Sequence, residues 1–211
     1  MNEYVLLKEK LDQIKKDGLR PSLLLHSCCG PCSSYTLEFL DQYFDITIYY
    51  YNPNIYPEEE FDKRLEEQKK VIEIVNPKIK LHFNKESYNV YEEAVKGLEH
   101  LGELSKRCYN CYQFRLVKLA SVAKELGFDY FTTTLSISPY KSSKWINEIG
   151  KRLESDNCLF LYSDFKKEGG YQKSIAFCKE HNIYRQDYCG CKASIEEHYK
   201  RLVEKENKMS N

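Results

Sequence analysis

Seven of the nine cysteines in this 211-residue chain fall into three tight groups. The groups are Cys28-Cys29-Gly30-Pro31-Cys32, Cys108-Tyr109-Asn110-Cys111 and Cys189-Gly190-Cys191. Thiols kept only as small core residues scatter singly, whereas thiols grouped on distant segments read as a metal or redox centre. Cys28 and Cys29 are expected where a buried strand turns into a helix, and the free amides and dipole there favour thiolates. Cys108 and Cys111, three apart at a helix start, point the same way and can grip one metal or one edge of a cluster. Two such pairs supply four thiolates, the usual complement of a [4Fe–4S] centre. A structural zinc site uses the same ligand type and stays open as an alternative. Adjacent cysteines are poor zinc-knuckle spacing, so iron–sulfur is the favoured reading.

Cys189-Gly190-Cys191 is a different device. Two residues of extended chain span at most roughly 7 Å, while a disulfide needs Cα atoms nearer about 5.5 Å. A bridge there requires a bent backbone, which Gly190 permits, and so tight a ring suits redox cycling better than structure. As thiols, the same pair could ligate a second metal. Cys29-Gly30-Pro31-Cys32 spells a thioredoxin-type tetrapeptide, so a metal-free thiol–disulfide oxidoreductase using Cys29 and Cys32 is a second reading. A zinc-stabilised RNA-binding domain is a third. Neither accounts for all three groups. Cys158 and Cys178 stand alone and are expected to be core packing.

These groups need a scaffold, and the rest of the sequence describes one. Lys plus Arg balances Asp plus Glu at 32 each, so an RNA could bind only through a local basic patch. No apolar run approaches a membrane span, and Met1-Asn2-Glu3-Tyr4 opens a charged amphipathic stretch rather than a signal peptide. The expected location is therefore the reducing cytoplasm, where cysteines serve metal or redox chemistry rather than a disulfide framework. The eighteen tyrosines could stack on bases, although a compositional bias explains them as well.

Short apolar runs alternate with helical periodicity, the pattern of a parallel α/β sheet. Strands are expected at 23–26, 45–51, 79–83, 130–134 and 159–162. Helices are expected at 4–17, 33–42, 58–76, 88–96, 105–126, 142–154, 171–181 and 193–206. The helix at 58–76 carries mixed charges and reads as plainly exposed, and 164–170 reads as a glycine-hinged lid. Ligands collect at the carboxyl ends of strands in open parallel sheets. The first cysteine group, Asn52-Pro53-Asn54, 133–139 and 164–170 should therefore share one rim.

Several segments, in order, resemble the QueH family of epoxyqueuosine reductases. They are Leu25-His26-Ser27-Cys28-Cys29-Gly30-Pro31-Cys32, Tyr51-Asn52-Pro53-Asn54-Ile55-Tyr56-Pro57-Glu58-Glu59-Glu60, Arg107-Cys108-Tyr109-Asn110-Cys111-Tyr112, the run from Phe131 through Lys141, and Tyr184-Arg185-Gln186-Asp187-Tyr188-Cys189-Gly190-Cys191. The resemblance covers roughly residues 20 to 195. It implies a single catalytic domain over 20–211, a Rossmann-like (HUP-like) α/β layer with a mostly parallel sheet flanked by helices, preceded by a helical extension at 1–19. The Ser-Gly-Gly-x-Asp-Ser phosphate loop of related nucleotide hydrolases is missing, so no ATP chemistry is expected.

The resemblance further implies reduction of the epoxide on a tRNA wobble base to an alkene, the last step of queuosine synthesis, with electrons from an external donor. It places a [4Fe–4S] cluster on Cys28, Cys29, Cys108 and Cys111, and makes Cys189 and Cys191 a redox pair or ligands of a second, mononuclear iron. Some family members carry aspartate at the position of Cys32; either side chain ligates iron, so Cys32 joins that second site. Asp187, Tyr188 and His26 are the nominated proton donors. Arg107, Lys141, Lys144, Lys151, Arg152 and Arg185 are candidate phosphate contacts, and Tyr56, Tyr109 and Tyr140 candidate stacking platforms.

Overall fold

Leu23, Leu24 and Leu25 offer nothing to water, and all three are fully buried in the central strand of a five-stranded sheet. The computed structural model describes residues 2–209. The strands are β1 (Ser22–His26), β2 (Asp45–Tyr51), β3 (Lys80–Asn84), β4 (Tyr130–Thr133) and β5 (Leu159–Phe160). Their order is β3-β2-β1-β4-β5, and every neighbouring pair is parallel. The expected α/β layer with a parallel sheet is the observed one.

The helices are α1 (Glu3–Lys16), α2 (Gly30–Leu40), α3 (Glu58–Val75), α4 (Tyr88–Ala94), α5 (Lys106–Glu125), α6 (Ser143–Arg152), α7 (Gly170–Glu180) and α8 (Lys192–Met209). Alternate residues of a strand face opposite ways. Leu23 and Leu25 pack with Leu37 and Leu40 of α2, Val71 and Ile72 of α3, and Phe177 of α7. Leu24 packs on the other face with Leu116 and Leu119 of α5 and Ile146 and Ile149 of α6. Helix α1 adds Leu7, Leu11 and Ile14 to the first of these cores. Cys178 belongs to the first core and Cys158 to the second, as expected for packing residues.

Five expectations need correction. Helix α2 begins at Gly30 rather than 33, because Pro31 sits in its first turn, where a missing N–H costs nothing. Cys32 is therefore a helical residue. Strand β5 holds only Leu159 and Phe160, and the expected loop after β4 contains a short 3-10 turn, Thr134–Ile137. The segment expected as a lid is anchored at both ends and exposed between them: Asp164, Phe165 and Gly170 are buried, Lys167 and Glu168 are exposed, and a Cβ on Gly170 would run into the Phe165 carbonyl oxygen. Helix α3 is not plainly exposed, since Glu60, Arg64, Glu67 and Gln68 are all buried. Among the described residues, no helix is long and apolar enough to cross a membrane.

The strand order reverses direction between β1 and β4, the place where open parallel sheets bind ligands at their carboxyl ends. The first cysteine group leaves β1 there. Close packing on the sheet fixes this end, and Gly150 of α6 is a sensitive point. A Cβ on Gly150 would lie 2.4 Å from the buried Phe160 ring. Gly150→Ala is expected to destabilise the fold by about 1–3 kcal/mol through overpacking. Urea unfolding should show a lower midpoint at an unchanged slope.

Candidate metal centre

Strand β1 ends at His26, which is buried and locked between two neighbouring strands. Its Nδ1 lies 2.8 Å from Thr133 Oγ1 and its Nε2 3.1 Å from the Tyr51 carbonyl. Burial, then the nearby Arg115 charge, lowers its pKa to about 4, so the ring is neutral at ordinary pH. His26 is thus a strand-end tie. The chain then turns through Ser27 into Cys28 and Cys29, with Cys29 as the extended N-cap of α2. No side chain caps that helix, which leaves its first-turn amides and dipole to an anion.

One sulfur atom from each of Cys28, Cys29 and Cys32 lies within 4.8 Å of the other two, close enough to share a metal ion. Cys28 and Cys29 are 3.7 Å apart at sulfur. The thiols of Cys29 and Cys32 turn toward the Cys28 sulfur and hold its pKa well below the usual thiol value, aided by the charges of Lys141 and Arg115. Cys29 is pushed up to about 12, first by its hydrogen bond with Cys28. Cys32 rises for the same reason. The trio is therefore arranged around one thiolate.

The other two groups reach the same place from α5 and from the start of α8. Cys111 and Cys191 pack together with Tyr91 and Val95, and Cys108 packs against the core that holds Cys28 and Cys29. Burial raises the Cys111 thiol to about 12 and raises Cys189 as well. All nine cysteines are free thiols. A cavity of about 280 Å³ joins the three groups: Cys32, Cys108, Cys111, Cys189 and Cys191 all line it. The rim expectation holds in outline. Cys32, Asn54, Ser138 and Lys141 come from the segments after β1, β2 and β4. Residues 164–170, expected on the rim after β5, do not line the cavity; Tyr171 and Ser174 of α7 do.

Positive charge surrounds the sulfurs. Arg115 is 1 % exposed, and its Nη1 lies 3.4 Å from Asn52 Oδ1 while Asn52 donates to the Ser27 carbonyl. Arg64 and Arg107 are each 2 % exposed. Each of the three guanidinium groups keeps at least one buried nitrogen without a hydrogen-bond partner: Nη2 of Arg64 and Arg115, Nε and Nη1 of Arg107. Burial pulls the Lys141 ammonium toward neutrality, but the sulfurs of Cys189, Cys28 and Cys32 outweigh it and hold the charge. Lys141 is therefore no solvated surface charge, and Arg107, paired with Glu197, is too buried to meet a phosphate.

The remaining nominated residues sit farther out. Asp187 is on the rim, its side chain 74 % exposed and 3.6 Å from His198 Nε2. Tyr188 lines the cavity, and burial raises its phenol. Arg185 donates to the Tyr171 hydroxyl, Arg152 pairs with Glu148 and Lys151 with Glu154. Tyr140 is 63 % exposed at the cavity mouth, Tyr56 is also exposed, and Tyr109 meets Trp145 edge-on. Sequence reasoning missed Arg64 and Arg115. The available signal was spacing: 60, 64, 67, 68, 71 and 72 form one helical stripe with the buried Val71 and Ile72.

A family model described as Epoxyqueuosine reductase QueH matches residues 23–197. The chain belongs to the QueH family. The QueH protein of Streptococcus pyogenes serotype M1 is 44% identical over 182 residues, which cover 84% of this chain and 71% of that one. The QueH protein of Staphylococcus epidermidis is 42% identical over 198 residues, covering 90% and 83%. That of Thermotoga maritima is 36% identical over 185 residues, covering 87% and 95%. Membership in QueH makes this chain an epoxyqueuosine reductase, an oxidoreductase of queuosine biosynthesis. Helix α1 precedes the matched segment. A predicted tRNA methyltransferase subunit from Methanocaldococcus jannaschii shares 13% identity and a TM-score of 0.49 over 74% of each chain.

The sulfur trio depends on a close approach at its base. A Cβ on Gly30 would lie 2.7 Å from the Glu67 carbonyl oxygen, a backbone atom that cannot swing aside. Gly30→Ala is expected to cost about 1–3 kcal/mol and to push the cysteine turn away from α3. Cobalt(II) titration of the metal-free protein should then show weaker thiolate-to-cobalt absorption than wild type.

Proposed function

We propose that this chain reduces the epoxide of epoxyqueuosine, carried on a tRNA wobble base, to the alkene of queuosine. In this reading Cys28, Cys29, Cys108 and Cys111 hold a [4Fe–4S] cluster, while Cys32, Cys189 and Cys191 hold a second iron or cycle as a dithiol. The observation that carries it is the cavity, where three cysteine groups meet under buried guanidinium groups with spare donors. An anionic thiolate-ligated cluster fits that donor set, because buried N–H groups beside sulfur stabilise its negative charge. A lone thiol pair leaves most of the surrounding charge unanswered. Cys29 is also fully buried, which a thiol-exchange enzyme could not use.

Loss of the epoxide oxygen as water takes two electrons and two protons. When bound, the cluster would supply electrons singly and the second iron a Lewis acid. The protein's own part is to seat and shield the base. The metal-ligating thiols line the cavity itself, so the metals would take up its floor and an extruded base would enter at the side of Tyr140, Asp187 and Tyr188. Tyr140 at the mouth offers a stacking face for that base or its neighbour. Lys141 presents a charged N–H donor to the oxygen that leaves. Asp187 and Tyr188 stand on the solvent side, where a proton can be passed inward.

Anaerobic purification with iron, sulfide and zinc assays tests this reading. About four irons with matching sulfide establish the cluster, and about five support the second iron. Cys108→Ala or Cys111→Ala should abolish the visible absorbance and turnover of epoxyqueuosine-tRNA. Cys189→Ala should abolish turnover and keep the cluster. A colourless protein with one zinc after reconstitution overturns the proposal.

A further inference from the structure

Arg64 is one of the largest fully buried side chains, and it lies outside all three cysteine groups. It rises from α3 with its Nε donating to Glu60 Oε1 at 2.7 Å. Its Nη1 donates to the Cys189 carbonyl at 2.9 Å, across 125 residues of sequence. The guanidinium also lies 5.2 Å from the Tyr188 ring. Gly190 packs flat on it: a Cβ there would come within 3.0 Å of Nη1, and Gly190 has φ +114, a conformation side chains avoid. The Gly190 carbonyl meanwhile accepts from Tyr56 N at 2.8 Å. The bend that sets Cys189 and Cys191 is thus held by a guanidinium on one side and a backbone amide on the other.

The same helix holds the first cysteine turn. Gln68 accepts from the Ser27 hydroxyl, and Gly30 rests on the Glu67 carbonyl. Glu60 and Glu67 also accept from the hydroxyl and backbone N–H of Tyr184, at the base of the third group. One buried stripe of α3 therefore fixes the first and third groups relative to each other, and Arg64 is its only cation. Its Nη2 is buried without a partner. A buried cation with a spare donor is costly unless a negative group stands beside it: Glu60 answers Arg64 on one side, and the sulfurs of Cys29 and Cys189 also act on this guanidinium.

We infer that Arg64 is a positioning residue for the reduction: it clamps the Cys189-Gly190-Cys191 bend to the first cysteine turn and supplies fixed positive charge to the sulfurs between them. The inference rests on the proposed metal centre for its second half only. The clamp is a property of the polypeptide. Arg64→Lys keeps the charge and loses the two-pronged bridge; Arg64→Met loses both.

Two measurements separate the roles. Hydrogen–deuterium exchange is followed in metal-free wild type and both variants, comparing residues 184–192 with the central strand 22–26. Both variants should exchange at least about tenfold faster in 184–192 while 22–26 keeps its protection. Redox titration of the reconstituted proteins should show reduction about tenfold less favourable in Arg64→Met, roughly 59 mV lower for one electron. Arg64→Lys should stay near wild type. Unchanged exchange in 184–192, or equal acceleration of both segments, overturns the clamp; an unchanged potential in Arg64→Met overturns the charge role. If Arg64→Met does not fold, Arg64→Lys still decides the clamp. A wild type that takes up no iron would overturn the proposed centre, and the metal-free exchange would still decide the clamp.

Discussion

Negative charge on sulfur cannot be buried without an answering positive charge, and that requirement shapes the interior around the cysteines. Burying an unpaired ion costs several kcal/mol, so ordinary cores contain few. This one contains Arg64, Arg107 and Arg115, all at most 2 % exposed, with the Lys141 ammonium beside them. Each is tethered to backbone or carboxylate on one side and left with capacity on the other. Arg115 reaches Asn52, which holds the Ser27 carbonyl just before Cys28. Arg107 reaches Glu197 on α8. The cations therefore do two jobs: Lys141 and Arg115 favour the thiolate of Cys28, and the three arginines fix the segments that carry the thiols.

The parallel sheet makes such a gathering feasible. All five strands point their carboxyl ends the same way, so the turns after β1, β2 and β4 emerge side by side. His26, neutral and bonded to Thr133 and the Tyr51 carbonyl, ties those three strand ends at the level of the cysteines. The uncapped start of α2 adds its dipole. Helix α5 brings Cys108 and Cys111 across the second face of the sheet, and the chain returns late to deliver Cys189 and Cys191.

Much of this was legible in the residues themselves. Cysteine spacing marked the centre, and the alternation of apolar runs gave a parallel sheet with most element bounds within a few residues. Helix α2 starts three residues before the expected 33, because a proline in the first turn is compatible with helix. The misreading of α3 has a clearer cause. Glu60, Arg64, Glu67 and Gln68 are the residue types of a solvated face, and only partners far away in sequence, at Ser27, Tyr184 and Cys189, make them interior. A single chain read in order cannot reveal such partners. Lys141 is expected from the sequence as a phosphate contact, because nothing in Pro139-Tyr140-Lys141 announces the sulfurs that act on it.

The thiol groups come from the first, middle and last thirds of the chain, and the contacts joining them span 125 residues from Arg64 to Cys189 and 90 from Arg107 to Glu197. A nascent chain that stops short of residue 189 has the sheet-forming segments and most of the thiols, but not the residues that close over them. Ribosomal synthesis therefore passes through a stage in which five of the seven grouped cysteines are made and the cavity has no third wall. The cavity can therefore close only after the last of its cysteines has been made.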